Sequence, residues 1–140
     1  MAQTTFDIRT TGPGLFEITA QAADFANKVI RGDGLLTLFI RHTSASLLIQ
    51  ENADPEVQVD LLAWLMRLVP PANDPTMRYL THTYEGPDDM PGHIRSALLP
   101  TSLSIPVTEG RLCLGQWQGI FLFEHRDRGR HRQVVAHLSQ

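Results

Sequence analysis

From residue 102 to residue 138 almost nothing in the chain reads as helix. SLSIPV, at 102–107, alternates polar and apolar side chains, and TEG turns the chain. RLCLGQWQGIFLFEHR, at 111–126, is one long strand or a bent pair, and RQVVAHL, at 132–138, closes the chain as a strand. A period of two buries one face of a strand and leaves the other free. A block of strands behind a first half that mixes strands with helices restricts the fold to α+β, on antiparallel sheet.

The first half supplies the helices. Residues 4–10 and 14–18 read as a hairpin or two successive strands, broken by Gly12-Pro13-Gly14. Ala22, Phe25, Ala26, Val29 and Ile30 recur at helical spacing within 20–31, and Gly32 stops that helix. LLTLFIR, 35–41, reads as an interior strand. Asp54-Pro55 is a strong helix start, since the carboxylate can cap free amides and proline suits the first position. Val57, Leu61, Trp64, Leu65 and Leu68 form its apolar stripe, ended by Pro70-Pro71. A short strand is expected at 78–84 and a short helix from about His93. With 140 residues, no linker and no repeat, residues 1–140 form a single domain.

Charge narrows the function. The net charge is −3 and the pI is about 6.0, so the overall field favours neither nucleic acid nor a membrane surface. No run spans a bilayer and MAQTTFDIRTTG lacks a signal-peptide layout, which makes the cytoplasm the expected location. Cys113 is the single cysteine and is expected as a small buried hydrophobe.

Polar residues concentrate in one place. HTSASLLIQENADPE, 42–56, sets His42 at the end of a buried strand and Asn52 and Asp54 at a helix start, two places where polar groups gather. Of six histidines, His42, His82 and His93 each flank a regular element, and Asp88 and Asp89 lie between the last two. Imidazoles with carboxylates suit a catalytic transition metal better than magnesium. The histidine spacing matches no metal motif, and on spacing alone separate capping or surface roles are favoured. EHRDRGRHR brings four arginines within seven positions, which suits phosphate or equally a solvated turn. In GQWQG the glycines point to a bulge or close backbone approach, and Trp117 fits core as well. There is no G-x-S-x-G elbow, no Walker loop and no G-x-G-x-x-G.

Taken together, HTSASLLIQENADPEVQVDL, EGPDDMPGHIRSALLPTSLSIPVTEGRLCLGQWQGIFLFEHR and HRQVV resemble the YjbQ-like proteins, also called the secondary thiamine-phosphate synthase family, over nearly the whole chain. The resemblance implies a seven-stranded antiparallel β-sandwich with flanking helices, assembled as a homotrimer. It implies a zinc-like divalent metal at His42, His82 and His93, with Asn52, Asp54 and Glu124 catalytic. Ser44, Trp117, Gln118, Arg126 and Arg132 would bind a phosphorylated small-molecule substrate. The implied reaction joins a hydroxymethylpyrimidine diphosphate to a thiazole phosphate. A metal-dependent hydrolase of phosphorylated small molecules and a non-enzymatic metabolite-binding trimer are the alternatives. The chain departs from the family pattern at Gln116, at Asp89 and in EHRDRGRHR. The expected arrangement is one polar pocket fed by His42, Asn52, Asp54, His82 and His93.

Overall fold

The computed structural model describes residues 2–140. In chain order the elements are β1 (Ala2–Arg9), β2 (Gly14–Glu17), α1 (Thr19–Val29), β3 (Gly34–Ile40), β4 (Ala45–Glu51), α2 (Pro55–Leu68), a 3₁₀ turn (Pro75–Met77), α3 (Asp89–Leu98), β5 (Ser102–Thr108), β6 (Arg111–Leu112), β7 (Gln118–Glu124) and β8 (His131–Ser139). All strand pairs are antiparallel and fall in two sheets. One has the order β1-β8-β3-β5-β6 and the other β2-β7-β4. The α+β expectation therefore holds. Among the described residues the strands number eight rather than seven, because β6 is a separate two-residue return after a hairpin turn. Glu109 and Gly110, at φ 51° and 77°, make the primed two-residue turn that hairpins favour.

The core lies between the sheets. Leu36, Leu38 and Ile40 of β3 and Val134, Ala136 and Leu138 of β8 meet Leu47 of β4 and Ile120 and Leu122 of β7, with Ala22 and Ala26 of α1 closing the edge. Alternation is clean on β3, whose Leu35 and Phe39 face outward. It fails on β7, which is buried continuously from Gly119 to Glu124. Phe121 and Phe123 point away from the other sheet and are still covered. A strand covered on both faces loses the period of two, which is why IFLFE carries no alternation.

Three local expectations are corrected. Residues 78–84 form no strand: Asp74 Oδ1 accepts from the Thr76 amide at 2.9 Å, Pro75 starts the 3₁₀ turn, and no sheet edge is offered to the tyrosines that follow. The helix expected from His93 starts at Asp89, which puts Asp89 and His93 one turn apart on one face. Cys113 is exposed, beside Thr108 Oγ1, because β6 ends at Leu112 and leaves it on an irregular segment. On α2, Leu65 is buried while Trp64 (61% exposed) and Leu68 lie off the packed face. The stretch 45–51, unassigned from sequence, is strand β4 and pairs with β7.

Candidate functional site

The β4–β7 pair sorts the expected site residues. Ala45 pairs with Glu124 at one end and Glu51 with Gln118 at the other. Six residue steps of strand separate these ends by about 20 Å.

At the Glu124 end, Asp89 forms the centre of a compact group. His82 Nε2 lies 3.0 Å from Asp89 Oδ2, and His93 Nε2 lies 3.5 Å from the same oxygen. Donor atoms of the three residues all fall within 4.8 Å of one another. Arg126 Nη1 donates to Asp89 Oδ1 at 2.8 Å, so a guanidinium holds one carboxylate oxygen while the other faces both imidazoles. Arg126 Nε donates to Asp88 Oδ2 at 2.9 Å, and the Asp127 amide donates to the same oxygen at 3.0 Å. Burial pushes Asp88 up, but those bonds outweigh it and hold the carboxyl below its usual range. Asp89 is buried and both histidines are half-buried, so the group opens to solvent on its imidazole side. Two imidazoles and an oriented carboxylate, with open positions, fit a zinc-class ion.

His42 is not part of that group. Its Nε2 accepts the Gln133 amide at 2.9 Å, so this lone pair is already used. Burial, with Arg132 nearby, lowers its pKa, consistent with a neutral ring protonated on Nδ1. It lines an open depression of roughly 510 Å³ together with Arg41, Thr43, Ser44, Thr101 and Arg132.

Behind that depression lies a buried ion pair. Arg132 Nε donates to Glu124 Oε1 at 2.8 Å, its Nη2 pairs with Glu124 Oε2, and Nη2 also donates to Ser44 Oγ at 3.0 Å. Thr10 Oγ1 donates to Glu124 Oε1 at 2.6 Å, and the amides of His125 and Arg126 donate to Oε2. Burial pushes Glu124 up, yet the bonds from Arg132 and Thr10 prevail and lower its pKa. Glu124 is fully buried with both oxygens occupied, so it positions the chain around Arg126 and cannot touch a substrate. The sequence expectation made it catalytic; its geometry within this chain is that of a positioning group. The depression and the His–Asp–His group adjoin at Gly92, where a Cβ would meet Ser44 Cβ and Arg126 Cδ at 3.6 Å.

The opposite end holds the other four residues. Asn52 Nδ2 donates to Glu17 Oε2 at 2.9 Å, passing so close to Gly119 that a Cβ there would lie 2.9 Å from Asn52 Cβ. Asp54 Oδ1 accepts the Glu56 amide at 2.9 Å as the cap of α2. Gln118 Oε1 accepts the Gly115 amide at 2.8 Å, and Trp117 is 58% exposed rather than core. Within one chain the single expected pocket does not form: a rigid strand pair keeps Asn52 and Asp54 away from His82 and His93.

Sequence reasoning also passed over His125 and Ser46. Both are buried, with Ser46 Oγ and His125 Nε2 2.9 Å apart. Burial and the Arg95 charge push the His125 pKa down to about 3. Neither had a signal, because Ser46 lies in a stretch unassigned from sequence and His125 follows directly on the apolar run of β7. Asp89 did have one: an acid four residues before His93.

The chain matches the UPF0047 YjbQ-like protein model over residues 4–140. It belongs to that family. A UPF0047 protein of Synechocystis sp. is 58% identical over 106 residues, covering 76% of this chain and 69% of that one. UPF0047 protein YjbQ of Escherichia coli O157:H7 is 47% identical over 123 residues, 88% of this chain and 83% of that one. Among solved structures, a conserved hypothetical protein from Thermus thermophilus has 32% identity and a TM-score of 0.83, covering 97% of this chain and 99% of its own. A YjbQ/UPF0047 protein of Clostridium acetobutylicum, described as uncharacterised, has 29% identity and a TM-score of 0.85, with 97% and 99% covered. Among the described residues no helix is long and apolar enough to cross a membrane.

Proposed function

We propose that the chain is a metal-dependent enzyme acting on a phosphorylated small molecule at His82, Asp89 and His93. The observation that carries this reading is the approach of both imidazole Nε2 atoms to one Asp89 oxygen while Arg126 holds the other. The ligand set differs from the three histidines expected from sequence, with Asp89 in the place of His42. The reaction favoured by resemblance is thiamine-phosphate formation. The thiazole nitrogen attacks the pyrimidine methylene carbon, a C–N bond forms, the C–O bond to the diphosphate breaks, and pyrophosphate leaves with the electron pair.

When bound, a zinc-like ion would supply Lewis acidity toward phosphate oxygens. The chain's own residues do the rest. Arg126 fixes Asp89 and, through Asp88, joins the start of α3 to the end of β7. Glu124 pins the first amides beyond β7, so Arg126 leaves the strand in one direction. Ser44 and Arg132 shape the adjoining depression, where the organic part of a substrate fits. A second reading, hydrolysis of a phosphate ester, gains support from the half-exposed imidazoles, which water reaches freely.

The purified chain is expected to take up about one zinc per subunit. His82→Ala with His93→Ala should abolish this while leaving the circular dichroism spectrum unchanged. Metal content unaltered in that variant sinks the proposal. Turnover of the pyrimidine diphosphate with the thiazole phosphate, against generic phosphate esters, separates the two reactions. Zinc uptake without either turnover leaves metabolite binding as the role. We also propose a homotrimer: Val59, Trp64 and Leu68 of α2 leave apolar surface uncovered that a second copy would bury. A sedimentation mass near 15.7 kDa would rule it out.

A further inference from the structure

Of the four arginines between 126 and 132, the two expected to bind substrate are already committed. Arg126 is shared between Asp88 and Asp89, and Arg132 is paired with Glu124. Arg128 and Arg130 differ: both are exposed, and among the described residues neither guanidinium has a carboxylate or hydrogen-bond partner. They line a cleft of roughly 400 Å³ with residues 85–88 on one wall and Arg126, Asp127, Arg128 and Arg130 on the other. That is room for a phosphorylated small molecule.

The two guanidiniums stand on a fixed backbone. On one side of the loop the Asp127 amide donates to Asp88 Oδ2 at 3.0 Å. On the other the Arg130 amide donates to Thr10 Oγ1 at 2.9 Å, and the Thr10 amide donates to the Arg130 carbonyl at 2.9 Å. Thr10 is itself buried. A loop tied at both sides carries its side chains with less ordering to lose than a free one.

Two unpaired guanidiniums face the cleft and suit an anion. Asp88 is taken by Arg126, and Glu85 bonds His82 Nε2 at 2.9 Å. The charges lining the cleft balance, Arg126, Arg128 and Arg130 against Glu85, Asp88 and Asp127, and within that balance Arg128 and Arg130 keep both forks free for bidentate contact. Glu85 borders the cleft and also touches His82, so an anion in the cleft lies beside the His–Asp–His group.

We infer that Arg128 and Arg130 receive the phosphate-rich end of the substrate, leaving its reacting bond toward His82 and His93. The inference rests on the enzymatic reading of that group and on the diphosphate substrate proposed for it, and adds which residues receive the diphosphate. Arg126 and Arg132 are then the scaffold of this site and do not touch the anion.

The test titrates inorganic pyrophosphate into the chelator-treated full chain by calorimetry at low salt. Saturable binding is expected, weakened at least about tenfold in the Arg128→Ala, Arg130→Ala double variant, since removing one charge-assisted hydrogen bond costs about that factor. Arg111→Ala, which removes an exposed arginine elsewhere, should leave the affinity unchanged. Zinc uptake should be the same in the double variant as in the parent. Absent saturable binding, or equal affinity in parent and double variant, overturns the inference. Pyrophosphate binding is also expected to survive His82→Ala with His93→Ala. If it does, but zinc content there equals that of the parent, the metal reading fails while the anion site stands. If binding is lost there, the anion sits on the histidines and the inference fails instead.

Discussion

The two ends of the β4–β7 pair are built from similar residue types and hold them differently. At one end Glu124 and Arg132 are buried, and every Glu124 oxygen is bonded to groups fixed by three separate segments. At the other end Glu17, Asn52 and Gln118 make bonds near the surface, mostly to close neighbours. Burial removes the competition from water, so one lost partner leaves an unpaired charge in a dry place. Near solvent the same loss is made good by hydration. The difference assigns the first end to architecture as well as chemistry, and leaves the second free to meet something outside this chain.

Unfolding measurements give the largest expected contrast. Glu124→Ala should cost about 3–5 kcal/mol, because Arg132 remains buried without its carboxylate. Asn52→Ala should cost less than about 1 kcal/mol. Similar losses in urea unfolding would erase the distinction between the ends. Next in size is the response to acid. The folded-state pKa of His125 lies near 3, below the ordinary histidine value of 6.5, so the unfolded chain binds the proton first. This contribution is complete above about pH 6.5 and declines as pH falls toward 3, at up to about 1.4 kcal/mol per pH unit. Glu124, with its lowered pKa, acts in the same direction at more acid pH. Stability measured at stepped pH should fall less steeply in His125→Asn than in the parent.

Metal affinity sharpens the comparison within the Glu124 end. Asp89→Asn is expected to weaken zinc binding by at least about 10-fold, since altering a ligand's outer-shell support alone costs about 10–100-fold. His42→Ala should leave it within about twofold. Equal losses would restore His42 to the ligand set. The smallest effect belongs to Asp54. Asp54→Ala should cost about 1 kcal/mol, and Asp54→Ser almost nothing, since serine also caps. A stable Asp54→Ser chain with full activity would make Asp54 purely structural. Loss of activity in a stable variant would mean that its carboxylate serves a pocket completed by another copy.

Much of the fold was legible because its signals are local. Asp54-Pro55 and Pro70-Pro71 bounded α2 almost to the residue, an apolar run located β3, and alternation located β5 and β8. What escaped depends on distant partners. β4 is a strand because β7 lies beside it, and residues 78–84 are not a strand because no edge reaches them, although their composition is the more strand-like of the two. In the site, His82 and His93 were visible as histidines beside an acidic loop. Their association with Asp89 required α3 to begin four residues earlier than expected. The commitment of Arg126 and Arg132 could not be read from EHRDRGRHR, because Asp88 and Glu124 choose between four similar side chains only in three dimensions.

The five-stranded sheet places β8 between β1 and β3, pairing Ala2 with Leu138 and Leu36 with Leu138 on either side. The strand latest in chain order here, β8, is therefore an inner strand of the larger sheet. At a synthesis rate of about 5–20 residues per second, β1 and β3 wait roughly ten seconds for it. During that time β1 has no hydrogen-bonded neighbour and one edge of β3 stays unpaired. Such long-range closure also predicts slow refolding in vitro. A chain interrupted before residue 131 would keep every residue of the His–Asp–His group and still fail to make the sheet behind it.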